Sequence, residues 1–114
     1  MSRPKIGDTL RELSRRFPQA FAMEAKDKRP LKREIFQDLW AAAPDIGYDT
    51  LRQALGQYVG GVTYLELLRE GAQRFGLYGE PAGDVTARDE EQAREKLARI
   101  YDRRGTPKSR EAAE

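Results

Sequence analysis

The sequence predicts a mainly α (α+β) fold, a compact domain of about four to five helices with a small β-hairpin. Three observations predict it. Apolar residues recur at helical spacing in four separate stretches. A Gly60-Gly61 pair interrupts that pattern, and glycine and proline crowd the segment up to Gly83. A chain of 114 residues can bury one modest core. The domain is expected over 8–104, with flexible ends at 1–7 and 105–114.

The first helix is expected from about Asp8 to Arg16, with Leu10, Leu13 and Phe17 on one face. Thr9 and Glu12 have the spacing of a capping box, with Asp8 as a competing cap. Pro18 disfavours helical geometry at Phe17, and Phe17 and Phe21 read as core anchors. The second helix is expected over Leu31 to Ala43, with Pro30 at its mouth. Ile35, Phe36, Leu39, Trp40 and Ala43 form its stripe, a phase that predicts burial of Trp40. Pro44 and Gly47 separate it from a third helix, Tyr48 to Val59, striped by Leu51, Ala54, Leu55 and Tyr58.

Beyond Gly60-Gly61, Thr63–Leu68 and Gln73–Tyr78 read as two strands paired across an Arg-Glu-Gly turn, although Leu-Glu-Leu-Leu favours helix locally. Thr86 caps a last helix running to about Arg104, striped by Ala93, Leu97, Ile100 and Tyr101. Its acids lie in the first turns and its arginines in the last, as the helix dipole favours.

Composition narrows the function. The chain has no cysteine and no histidine, which excludes disulfides, thiolate nucleophiles, Cys/His zinc sites and the side chain most used for acid–base work near neutral pH. The acids form no calcium-loop pattern, so neither an enzyme nor a cofactor or metal is expected. No apolar run approaches the roughly 20 residues that span a bilayer, and no signal-peptide core is present. A cytoplasmic protein is expected, and as nothing demands a dimer, a monomer.

With a net charge of only +2, the placement of charge matters more than its sum. Lys26, Lys28, Arg29, Lys32 and Arg33 form a basic cluster opposed only by Asp27. Beside a helix mouth such a cluster suits an anion, phosphate above all; a solvated loop is the plain alternative. Arg52, Tyr58, Tyr64, Arg69 and Arg74 add cationic and hydrogen-bonding candidates. Were the two expected strands paired, Tyr64 and Arg74 would meet at one end of a small sheet. Cations would then neutralise a bent phosphodiester chain while tyrosine supplies stacking or a hydroxyl.

Taken in order, Phe17-Pro18 with Phe21, Arg29-Pro30-Leu31-Lys32, Ile35-Phe36-Gln37-Asp38-Leu39, Leu51-Arg52 with Ala54-Leu55, Tyr58, Tyr64-Leu65, Gly71, Arg74, Leu77, Gly79, Pro81 and Gly83 resemble the ProQ/FinO family of bacterial RNA-binding proteins. The resemblance runs from about Leu10 to Tyr101. It implies a mostly helical domain with a small β-element that binds small regulatory RNAs and messenger 3′ regions, especially terminator-type hairpins with a single-stranded 3′ tail. It also implies RNA chaperone activity in post-transcriptional regulation. Position by position, Lys32, Arg52, Tyr64 and Arg74 fall where the family's RNA-contacting residues lie, with Arg29, Arg33 and Arg69 as further candidates.

The chain also departs from that pattern. Tyr48, Gly56 and Thr63 stand where relatives often carry basic residues, and Asp49 adds an anion beside the third helix mouth. Weaker or narrower RNA binding is therefore expected, and strand exchange is less expected than binding. Two other classes fit the sequence. The second and third helices have the lengths of a helix-turn-helix DNA reader, though only Arg52, Gln53 and Gln57 could read bases. A protein-interaction module would instead set the basic cluster against an acidic partner. If Tyr64 and Arg74 are RNA contacts alone, their alanine variants should stay folded.

Overall fold

A computed structural model describes residues 5–104; of the flexible ends expected at 1–7 and 105–114, residues 1–4 and 105–114 lie outside the described residues, and Ile6 and Gly7 belong to the first helix instead. Five α-helices and a two-stranded hairpin make up the described fold: α1 (Ile6–Arg16), α2 (Ile35–Ala42), α3 (Tyr48–Val59), α4 (Val62–Leu65), β1 (Gln73–Phe75), β2 (Pro81–Asp84) and α5 (Ala87–Arg104). The core is continuous across them. Leu13, Phe17 and Phe21 meet Leu31, Ile35 and Leu39, and Leu51, Ala54 and Tyr58 close it from α3. α1 and α2 both pack on α3, and α4 packs on α5. Arg16 ties α1 to the 3-10 turn Pro44–Ile46 through two hydrogen bonds to Asp45, at 2.9 and 2.7 Å.

α1 begins two residues before the expected start, so Ile6 and Gly7 are helical and the Thr9–Glu12 capping box does not form. The Thr9 amide already donates to Lys5 O at 3.0 Å, which puts Thr9 inside the helix rather than at its edge. Glu12 turns instead to Arg15 and Arg16. The reciprocal cap forms at α5, where Thr86 Oγ1 accepts from the Asp89 N–H (3.1 Å) and Asp89 Oδ2 accepts from the Thr86 N–H (2.9 Å).

The second expected helix is shorter at its start. Leu31 is not helical but bridges Phe75 in parallel. Phe75 N–H donates to Pro30 O (2.9 Å), and Lys32 N–H donates to Phe75 O (2.8 Å). Proline offers a carbonyl but no N–H, which suits an edge position better than a helix mouth here. The helix then starts after Glu34, which takes a left-handed conformation (φ 60°). Trp40 is 38% exposed, against expectation. Ile35, Leu39 and Ala43 face the core, whereas Phe36 and Trp40 lie one position on, about 100° round the helix.

The hairpin exists, but with a different partner. Thr63–Leu68 supplies α4 and a turn, and its neighbours Tyr64 and Leu65 are both buried, which a half-buried strand cannot achieve. β1 pairs antiparallel with β2, Gln73 opposite Asp84 and Phe75 opposite Pro81, with a bulge between. The connecting turn is closed by Gly76 N–H to Glu80 O (2.8 Å) and needs Gly79 at φ +85°. A Cβ on Gly79 would also meet the Gln19 side-chain amide at 1.9 Å. Gly79→Ala is expected to lower stability by about 1–2 kcal/mol, mostly from the left-handed backbone; a urea midpoint equal to that of the parent chain would contradict this.

Candidate nucleic-acid interface

Between the Leu31 strand segment, α4 and α5 lies an open cleft of about 330 Å³. Its lining includes Lys32, Arg33, Arg74 and Lys96 against the carboxylates Glu34 and Asp89, so its formal charges sum to positive. Apolar walls come from Ile35, Phe36, Leu55 and Leu68. A low-dielectric wall around a set of cations strengthens their field toward an incoming anion.

Two of the candidate residues converge, but not as paired strands. Tyr64 (4% exposed) stands on α4 and Arg74 (8% exposed) on β1. They meet on one peptide segment: Tyr64 Oη accepts from the Leu31 N–H at 2.9 Å, and Arg74 Nη1 donates to the Leu31 carbonyl at 2.7 Å. Burial raises the Tyr64 pKa above its ordinary value, so the phenol stays protonated. None of the described residues accepts the proton of that hydroxyl. Arg74 Nη2 also donates to Asp89 Oδ2 at 3.1 Å, while its buried Nε has no hydrogen-bond partner. The pair is thus first a clamp on the backbone at Leu31, and it lines the floor of the cleft.

Above that floor, Arg33 donates to the other oxygen of Asp89, and Lys32 donates to Asp38 at 2.7 Å. The bond to Asp38 holds the Lys32 pKa above its ordinary value. Thr86 N–H, then Arg74 and Arg33, hold the Asp89 carboxyl well below the usual carboxylate range despite the opposing effect of burial.

The other candidates stand elsewhere. Arg52 does not line the cleft; its guanidinium lies over the rings of Phe36 (5.3 Å) and Tyr48 (5.9 Å), beside the Phe36 wall. Arg29 donates to Gln19 O at 2.6 Å and covers the Phe75 ring at 4.0 Å. Arg69 lines a separate groove with Arg94 and Tyr101 between α4 and α5. Tyr58 is a core residue whose hydroxyl accepts from the Ala22 N–H at 2.9 Å.

Sequence reasoning missed Asp89, Gln92 and Lys96 as lining residues. Their signal was phase: Asp89, Gln92 and Lys96 follow one another at intervals of three and four along α5, a single strip flanking the buried Ala93. Dipole complementarity had accounted for that helix's charges without a site.

A five-helix domain with a basic cleft against a small hairpin is the class that this fold and site define. Residues 4–110 match the model of the ProQ/FINO family, and the chain belongs to that family. It is 43% identical over 89 residues to the RNA chaperone ProQ of Haemophilus influenzae, covering 75% of this chain and 45% of that protein. It is 39% identical over 104 residues to the RNA chaperone ProQ of Histophilus somni strain 2336, covering 85% and 49%. The chain therefore spans about half the length of these curated relatives. Among solved structures, the ProQ homolog from Legionella pneumophila superposes with a TM-score of 0.72 at 27% identity, covering 93% of this chain and 88% of that one. A FinO-like RNA chaperone from Neisseria meningitidis MC58 gives 0.64 at 25%, covering 77% and 88%.

Proposed function

We propose that residues 8–104 act as an RNA-binding domain with RNA chaperone activity, taking structured RNA that ends in a hairpin followed by a single-stranded 3′ tail. The observation that carries this reading is the cleft itself. Four cations line it against two carboxylates, so its lining carries a net positive formal charge, and apolar walls bound it. The names of the relatives, RNA chaperone ProQ and FinO-like RNA chaperone, supply the class of ligand. A-form RNA is recognised mainly by shape and phosphate contacts, and a chain terminus can enter a hollow that a continuous duplex cannot. No covalent step is required. Lys32 and Lys96 at the cleft would take phosphates, Lys32 exchanging Asp38 for the ligand. Arg33 would meet phosphate beside them and Arg52 at the adjoining surface, with Arg29 and Arg69 as more distant contacts. One copy of the chain suffices for this site.

A gel-shift comparison tests it with the tailed hairpin, the same hairpin without its tail, and duplex DNA. The tailed hairpin is expected to bind tightest. Lys32→Ala and Lys96→Ala should each weaken binding and reduce the slope of log affinity against log salt by about one. Arg94→Ala, which removes an exposed partner of Glu90 outside the cleft, should change neither. Preference for duplex DNA would replace this reading with a DNA reader, and no binding to any nucleic acid would favour a protein partner.

A further inference from the structure

Beside the cleft stands a cluster of rings at the margin of the core: Phe36 packs against the core, while Trp40 and Tyr48 lie outside it. Phe36 and Trp40 are one turn apart on α2, and Tyr48 and Arg52 one turn apart on α3, so two short ridges face each other. Tyr48 meets Phe36 edge to face at 5.1 Å and Trp40 at 5.5 Å. Arg52 caps the arrangement over Phe36 and Tyr48 and makes no salt bridge among the described residues. Trp40 and Tyr48 remain 38% and 47% exposed, so much aromatic surface is left facing solvent.

We propose that Tyr48, Trp40 and Arg52 form a stacking platform for an unpaired nucleobase of the RNA whose end occupies the cleft; this rests on the RNA-binding reading above. Phe36 makes the two sites continuous, since it is both a wall of the cleft and a member of the ring cluster. Every base presents a π-face, and stacking on an exposed ring requires no sequence match. The charge pattern selects a base rather than a phosphate at Tyr48 itself. Asp49, beside Tyr48 in the chain and three residues before Arg52, lowers the attraction of this patch for an anion, whereas an uncharged base is indifferent to it. Arg52, one turn on, over the Phe36 and Tyr48 rings and in no salt bridge among the described residues, is left to stack in turn. An apolar protein partner would have to bury the Arg52 guanidinium without a carboxylate to match it, which favours the nucleic-acid occupant.

Trp40 is the only tryptophan of the chain, so its emission reports on the platform directly. The probes are the tailed hairpin with intact unpaired flanks and the same RNA with abasic residues in those flanks. The intact RNA is expected to quench Trp40 emission and the abasic RNA to leave it unchanged. The intact RNA should bind the parent chain about 5- to 150-fold more tightly than the abasic one, the range that stacking of one base supplies. In Tyr48→Ala that ratio should shrink about fivefold or more, and Tyr48→Phe, which keeps the ring, should restore it. An equal ratio in the parent chain and Tyr48→Ala, or unquenched emission with the intact RNA bound, would overturn the platform while leaving RNA binding standing. Failure of the parent chain to bind either RNA would overturn both.

Discussion

Tyr64→Ala is expected to destabilise the domain by about 3–5 kcal/mol, the range for deleting a buried aromatic side chain. For a domain whose total stability is of order 5–15 kcal/mol, that leaves a substantial unfolded fraction or little native protein at all. The reason is the position of the ring. Tyr64 belongs to the core cluster, packs near Tyr58 (ring centroids 6.0 Å apart), and its hydroxyl satisfies the buried N–H of Leu31. Alanine opens a cavity and strands that donor in one step. Tyr64→Phe separates the two losses: it fills the space and removes only the hydroxyl, at about 1–3 kcal/mol for the unsatisfied donor. Urea denaturation of the two variants checks the order. Equal midpoints for the parent chain and Tyr64→Ala would show that the ring is a surface group. The consequence for function follows. A loss of RNA affinity in Tyr64→Ala would not by itself identify a contact, contrary to what the sequence alone suggests; Tyr64→Phe is the variant that reports on the hydroxyl.

How much of this was legible in the sequence depends on how local the deciding interaction is. α3 was readable end to end, because an apolar stripe bounded by Gly47 and Gly60-Gly61 carries both its phase and its limits. The start of α5 was readable for the same reason: Thr86 and Asp89 cap each other three residues apart. Leu31 was not. Apolar, flanked by proline and cations, it has the local marks of a helix start, and only pairing with Phe75, far along the chain, makes it a strand residue. The hairpin shows the same limit, since β1 could be placed while its partner could not be told apart from the helical turn at α4. In the candidate site the cations Lys32, Arg33 and Arg74 were identifiable from residue type, and the cleft does gather them. That Tyr64 and Arg74 clamp the Leu31 peptide was not identifiable, because backbone partners across such separations leave no pattern in the chain. Trp40 failed for a subtler reason. A stripe five residues wide, Ile35 to Ala43, holds more apolar surface than one helix face can bury, and the sequence does not say which members are left over.

Asp89 poses the remaining question, because it is a carboxylate at the floor of a site read here as binding anions. It accepts from the Thr86 N–H and from Arg74, and pairs with Arg33 through its second oxygen. Asp89→Ala removes the α5 cap and leaves the nearly buried Arg74 guanidinium uncompensated, an expected loss of about 3 kcal/mol, the low end for unpairing a buried charge. The pH dependence follows from the direction of its shift. The folded-state pKa lies below the ordinary carboxylate value, so the stabilisation is complete above the unfolded pKa of about 4 and drains away as pH falls toward the lower folded value. Urea midpoints taken from pH 7 down into the acid range should therefore decline more steeply for the parent chain than for Asp89→Asn, which cannot titrate; parallel curves would remove Asp89 as the cause. The same charge should act oppositely on ligand. With no RNA bound, Asp89 holds Arg33 and Arg74 in place, but it also subtracts from the field that a phosphate meets. Asp89→Asn keeps an oxygen for Arg74 and loses the charge, so it is expected to be less stable yet to bind the tailed hairpin several-fold more tightly. Weaker binding by a folded Asp89→Asn would instead mean that anchoring the two arginines matters more than the repulsion, and that the carboxylate is part of the recognition geometry.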